Sequence, residues 1–237
     1  MLEAIERGEE LVQGSVYLTE DQTAGRGQGN NRWHSTAGAN LTLSLLLRPA
    51  HLSVDRIFAL TQVASLAVCD AVTDHLGSFA SNRVRIKWPN DLYVGDQKLA
   101  GILIQNGLRG NRINWSVLGT GLNVNETAFP PELQASATSM YLLTGGTVER
   151  GDVLTSYFEH VVRWYELLEA GKFGAIDRAY QERLYRRNES VSFLEVEENR
   201  RFLATVRGTD AGGRLLLLHP DGKERGYELR SLRWLLR

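Results

Sequence analysis

The chain has 237 residues, 43% hydrophobic and 23% charged. That is the balance of a globular protein, with length for one large domain or a medium domain and a small satellite. A formal net charge of −1, with no basic stripe, gives no electrostatic case for nucleic acid or a membrane surface as partner. The single cysteine, Cys69, excludes an intrachain disulfide and a cysteine-based metal site, and reads as a buried structural thiol.

In chain order, Leu2, Ile5 and Leu11 share a face of an amphipathic helix expected over residues 2–12, weakened by Gly8. The N-terminus is too acidic for a secretory signal, and no window of eighteen apolar residues marks a membrane span, so the cytoplasm is the expected compartment. Val16–Leu18 reads as a strand, residues 23–35 as a polar loop, and Leu41–Leu47 as a largely buried strand. Ser53 is placed to cap a long helix ending near Gly77. Val84–Trp88 alternates as a strand that Pro89 stops. Leu92–Val94 and Gly101–Gln105 form a strand pair around the Gly95-Asp96 turn, and Ile113–Leu118 is another strand. Helices are expected over Val153–Ala170 and Ala175–Arg186. Beyond residue 187 come short strands, Val191–Val196, Phe202–Arg207 and Arg214–His219, separated by Asp/Gly turns. The expected fold is therefore α+β: a body over residues 1–186 and a small β domain over residues 187–237.

Three segments carry chemistry. In Ala24-Gly25-Arg26-Gly27-Gln28-Gly29-Asn30-Asn31-Arg32-Trp33, the glycines allow close backbone approach to a ligand, and successive amides form an anion site. Arg26 and Arg32 add guanidinium donors, and Trp33 offers a face for a purine. A surface turn with two solvated arginines fits this segment equally well. It is neither a dinucleotide fingerprint nor a Walker loop. In Lys87-Trp88-Pro89-Asn90-Asp91, Arg85 and Lys87 share a strand face, and Asn90 and Asp91 follow at the proline bend. Lys98 is expected just before the next apolar strand, which Gly101 begins. Lysines so close to apolar strands are costly to bury without an anion, although snorkelling is the commoner fate of a lysine. Gly119-Thr120-Gly121-Leu122-Asn123 ends a strand with small residues and an amide at Asn123; a plain structural turn accounts for it nearly as well. His34, His51, His75, His160 and His219 show no metal-ligand spacing, and no serine-hydrolase elbow is present.

With these segments in this order, the chain resembles the biotin–protein ligases. That family's pattern is Gly-Arg-Gly-Arg-x-Gly-Arg-x-Trp, Lys-Trp-Pro-Asn-Asp, Lys-Leu-Ala-Gly-Ile-Leu and Gly-x-Gly-x-Asn. The resemblance implies a mixed β-sheet flanked by helices, of the class II aminoacyl-tRNA synthetase kind, with a small C-terminal SH3-like β-barrel. It implies ATP-dependent biotinylation of a lysine on a biotin carboxyl carrier protein through biotinyl-5′-AMP, with Mg2+ bound to the substrate rather than to a protein metal site. Lys98, Arg26 and Asp91 would be catalytic, Asp91 by orienting or deprotonating the incoming lysine. Gln22, Gly25, Arg26, Lys98 and Gly101 would contact biotin. Arg26, Gly27, Gln28, Arg32, Trp33, Lys87, Asn90 and Asn123 would contact ATP or the adenylate. Arg230 and Arg233, in the C-terminal domain, are candidates either to help close the ATP site or to grip the acceptor. The expected partner is the carrier protein alone, without nucleic acid or membrane, and the enzyme would be a monomer or homodimer.

Two departures from the family pattern shape the expectations. Gln28, Gly29, Asn30 and Asn31 stand where the family is more basic, so looser adenylate binding is expected. Met1 falls inside the first family helix, so the strand and Ser-Thr-Asn segment that precede it in the family are expected to be missing, as is a DNA-binding region. The rival readings are a lipoate or octanoyl ligase or transferase of the same fold, and a non-catalytic relative that binds biotin or the carrier.

Overall fold

Alternating and wholly apolar runs dictate most of the architecture, seen in a computed structural model that describes residues 1–23, 25, 27, 33–81 and 83–235. Helix α1 (Leu2–Glu6) leads into strands β1 (Val16–Thr19) and β2 (Leu41–Leu47), then helix α2 (Phe58–Ser81). A meander follows: β3 (Val84–Lys87), β4 (Asp91–Val94), β5 (Gln97–Arg109) and β6 (Arg112–Leu122). Helices α3 (Met140–Thr144), α4 (Arg150–Glu169) and α5 (Phe173–Glu182) precede the last strands, β7 (Ser190–Glu195), β8 (Arg200–Thr209), β9 (Leu215–Leu218), β10 (Glu224–Tyr227) and β11 (Leu232–Trp234).

The first sheet has the order β1-β2-β6-β5-β4-β3. Its ladders are antiparallel; its mixed character rests on single parallel bridges at Ile86–Leu184 and Lys98–Ala137. Leu43 and Leu45 of β2 stand opposite Thr120 and Leu118 of β6 and belong to the buried core. Thr42 and Ser44, one residue out of phase, point to the other face. Helix α2 packs against α4, α5 and the strands β3 to β5. Leu60, Val63, Ala64, Leu66 and Ala67 are all fully buried there, which is why that helix is apolar all round. The segment Val54–Gly77 is long and apolar enough to cross a membrane, but 78% of its apolar window is buried inside the protein, as in a core helix. Cys69 lies in it, its thiol pKa pushed up to about 12 by burial.

The second sheet, β10-β9-β8-β7-β11, is the small C-terminal β structure expected, but it stays open, with β10 and β11 as its edges instead of closing on one another. One hydrophobic cluster includes residues of both sheets. Trp88 Nε1 donates to the Gly213 carbonyl at 2.8 Å, and the Tyr185 and Trp234 rings pack tilted, centres 5.8 Å apart.

Several boundaries differ from expectation. Helix α1 stops at Glu6, because Gly8 turns the chain at φ +76°. Leu11 instead offers its carbonyl to Arg48. Ser53 precedes a 3-10 turn, Val54–Arg56, and makes no side-chain cap bond. Gly77, at φ +67°, breaks α2 near the expected end, though helical structure resumes to Ser81. Helix α5 ends at Glu182, not Arg186, and Arg186 takes a positive φ of 57°. Helix α3 was not anticipated; Ser139 caps it, accepting from Leu142 N at 3.1 Å.

Asp96, in the β4–β5 turn, ties this sheet to the chain after α5. It accepts from Tyr185 OH at 2.6 Å and from Arg186 Nη2 at 2.7 Å. The Tyr185 hydrogen bond first, then Arg186, hold its carboxyl below the usual carboxylate pKa. A depressed folded pKa stabilises the fold above the unfolded value and stops doing so as pH falls through the folded one. The wild type should therefore be more stable than Asp96→Asn above about pH 4, with the gap closing at lower pH. Thermal melts of both proteins across that range check this; a gap independent of pH would contradict it.

Candidate active-site cleft

The strand period decides what faces the cleft. Across the first sheet, Thr19 stands opposite Thr42, Thr42 opposite Gly121, and Gly121 opposite Gly101, which in turn pairs with Asp91. One row beyond lie Tyr17, Ser44, Gly119 and Leu103. These residues share the face away from the leucine core, and all of them line a cleft of about 640 Å³. Three glycines among them lower its floor. The hydroxyls of Thr42 and Ser44 make no hydrogen bond among the described residues, and alternation in Leu41–Leu47 is the signal by which the sequence marks them.

Trp33 lies in the trough the glycines leave. A β-carbon at Gly121 would sit 2.5 Å from the indole, and one at Gly101 would sit 3.2 Å from it and 3.1 Å from Lys98 Cε. Indole Nε1 is buried without a partner among the described residues. Trp33 N donates to the Gly25 carbonyl at 3.1 Å. Gly25 is buried against Trp33 and Gln22, leaving no space for a side chain. Gln22 and Gly27 line the cleft. Arg26, Gln28 and Arg32 fall outside the described residues.

Lys98 Nζ and Asp91 Oδ1 pair at 2.7 Å on adjacent strands, each side chain 31% exposed. Both line the cleft, and Lys98 Nζ stands 5.8 Å from the Trp33 ring centre. Lys98 lies within β5, not before it. Its backbone is fixed on the outer side by Ser136 O at 2.7 Å and Thr138 N at 2.9 Å. Asn90 also lines the cleft, its Nδ2 donating to the Ile102 carbonyl at 2.6 Å. The bend that carries Asn90 and Asp91 is held by Trp88, as above, and by Tyr180 OH donating to the Pro89 carbonyl at 2.8 Å.

Gly25, Lys87 and Asn123 are not part of the cleft lining, nor are Arg230 and Arg233. Lys87 Nζ donates to Tyr93 OH at 3.1 Å and lies 4.7 Å from the Tyr93 ring and 5.9 Å from Trp234. Burial lowers its pKa, with Asp91 acting in the opposite sense. Asn123 is 3% exposed; its Nδ2 donates to the Thr138 carbonyl at 3.0 Å and its Oδ1 has no partner among the described residues. Gly119 and Gly121 belong to β6, which ends at Leu122, so the segment is the expected strand end and not the alternative plain turn. Among the described residues no group of three or more His, Cys, Asp or Glu could hold a metal ion. A partly exposed cation–carboxylate pair beside an indole, over a glycine floor, suits an anionic ligand that displaces Asp91 from Lys98.

Comparison with known proteins agrees with that geometry. Residues 3–123 match the biotin/lipoate A/B protein ligase family. The chain is 30% identical to the biotin–[acetyl-CoA-carboxylase] ligase of Paracoccus denitrificans over 217 residues, covering 90% of this chain and 88% of that one. It is 32% identical to biotin–protein ligase 1, chloroplastic, of Arabidopsis thaliana over 231 residues, and to the bifunctional ligase/repressor BirA of Bacillus subtilis over 156 residues. Those alignments span 60% and 45% of the two relatives. The biotin protein ligase of Aquifex aeolicus, solved with biotin and ATP, superposes with a TM-score of 0.78 over 95% of this chain and 91% of its own, at 24% identity. That likeness establishes the fold.

Proposed function

Because this chain belongs to the biotin/lipoate A/B protein ligase family, we propose that it is an ATP-dependent biotin–protein ligase acting in the cytoplasm on a biotin carboxyl carrier protein. Residues 1–186 would form the catalytic domain and residues 187–237 a small C-terminal domain. The observation that carries this reading is the Lys98–Asp91 pair at the cleft floor.

In the first step, the biotin carboxylate attacks the α-phosphorus of magnesium-bound ATP, and pyrophosphate leaves. The nucleophile is already ionised, so the step needs charge neutralisation rather than a base. Lys98 swings from Asp91 to the carboxylate and phosphoryl oxygens. Arg26, Gly27, Gln28 and Arg32 serve the phosphates, Trp33 the adenosine, and Gln22, Gly25 and Gly101 the biotin. Asn90 and Asn123 support the surrounding backbone, and Lys87 holds Tyr93 beside Asp91. In the second step, the carrier lysine attacks the acyl carbon and AMP leaves with the bonding pair. Asp91, released by Lys98, takes the amine proton.

Biotin is favoured over lipoate by the hydroxyls of Thr42 and Ser44 on the cleft floor. A ureido ring offers donors and an acceptor to such groups, whereas a dithiolane leaves them unpaired in a desolvated site. The test is biotin-dependent exchange of labelled pyrophosphate into ATP. Exchange with biotin and not with lipoate is expected. Exchange with lipoate alone would establish the lipoate ligase instead, and biotin binding without exchange would leave a non-catalytic binder.

A further inference from the structure

Glu126 follows β6 and is 3% exposed, yet it faces no cation in any ion pair or hydrogen bond of the described residues. Its carboxylate accepts three hydrogen bonds from a segment ninety residues away in sequence. Oε2 takes Thr36 N at 3.1 Å and Asn40 Nδ2 at 2.8 Å, and Oε1 takes Thr36 Oγ1 at 2.6 Å. The neighbouring chain repeats the suture: Val124 N donates to Asn40 Oδ1 at 3.0 Å and Asn125 N to the Ala39 carbonyl at 2.9 Å. Ser139 Oγ fixes the Glu126 carbonyl at 2.6 Å. A buried carboxylate with neutral donors only is tolerated when all of them are aimed at it. Thr36 is three residues after Trp33, whose indole lies in the glycine trough and whose amide closes on Gly25.

We propose that Glu126 is a positioning residue for the adenylate site, clamping the Thr36–Asn40 segment so that Trp33 and the neck at Gly25 are set before the ligand arrives. This rests on the ligase reading above. Glu126 touches no reacting atom, so its loss acts on nucleotide affinity and not on the chemical step. Glutamine preserves the clamp: its amide oxygen accepts from Thr36 N and Asn40, and its Nε2 donates to the Thr36 hydroxyl, which can rotate to accept.

The test compares wild type with Glu126→Ala, Glu126→Gln and Thr36→Val. Pyrophosphate exchange reads KM for ATP and kcat, and ligand-free hydrogen exchange reads the amides of residues 33–40. For Glu126→Ala, KM for ATP should rise about tenfold or more, as expected for losing several buried hydrogen bonds, with kcat nearly unchanged. The Thr36 amide should exchange faster, Glu126→Gln should behave as wild type, and Thr36→Val, which removes one bond, should lie between. If Glu126→Ala does not fold, the Gln and Thr36→Val proteins carry the test. Unchanged amide exchange in a folded variant overturns the clamp. A fall in kcat at constant KM, or a Gln variant as impaired as Ala, overturns the positioning role. No exchange in the wild type overturns the ligase reading and takes the adenylate role with it, while amide exchange still decides the clamp.

Discussion

Lys98→Met is expected to slow biotin-dependent pyrophosphate exchange by about 100- to 1,000-fold, the range seen when one preorganised donor to a developing charge is removed. Methionine keeps an unbranched stem of similar length over Gly101, where Lys98 Cε already packs beside Trp33. What disappears is the ammonium. Asp91 loses its partner, but with 31% of its side chain exposed it can be hydrated, so the fold should survive. A thermal melt near that of the wild type, together with lost exchange, is the expected pairing. Full exchange activity in a folded Lys98→Met protein would remove Lys98 from the first step.

Asp91→Asn should act on the other step. Asparagine can still accept a hydrogen bond from Lys98 but cannot take a proton. Loss of a general base typically costs about 100- to 10,000-fold, and the loss should fall on transfer from preformed biotinyl-AMP to the carrier lysine. Adenylate formation should stay close to the wild-type rate. Single-turnover transfer, measured beside pyrophosphate exchange in the same protein, separates the two. Equal slowing of both steps would make Asp91 a partner for Lys98 in the first step and not a base in the second. The two variants together probe the idea that one ion pair serves two steps, because Lys98 and Asp91 must part for each to act.

Most strand and helix cores were legible in the sequence because their periods are local. Leu41–Leu47 alternates within a leucine run, and Ile57 to Val72 repeats at helical spacing, so β2 and α2 were expected close to where they stand. The boundaries were less legible because tertiary contacts set them. At Gly119 to Gly121 composition left a strand end and a plain turn nearly equal, and β2 and β5, pairing on either side, keep these residues in β6. Lys87 read as a cleft lysine from its strand face, but β4 and β11 supply the rings that hold it. Glu126 gave no signal at all. A lone glutamate after a strand looks solvated, and only the return of Thr36 and Asn40 to the same end of the sheet gives its burial a reason.

The sequence by itself determined a family resemblance, carried by the glycine-rich segment, Lys87 to Asp91, and Lys98 taken together and in order, since the glycine-rich segment alone fits a surface turn equally well. Tertiary structure decided which of them meet. The antiparallel register sets Asp91 beside Gly101 and Gly101 beside Gly121; Lys98, out of phase with Gly101, meets Asp91 at the register shift between Leu92 and Tyr93, and Trp33 comes in from outside the sheet over the glycines. That register depends on pairing between strands far apart in sequence, which no local period can specify.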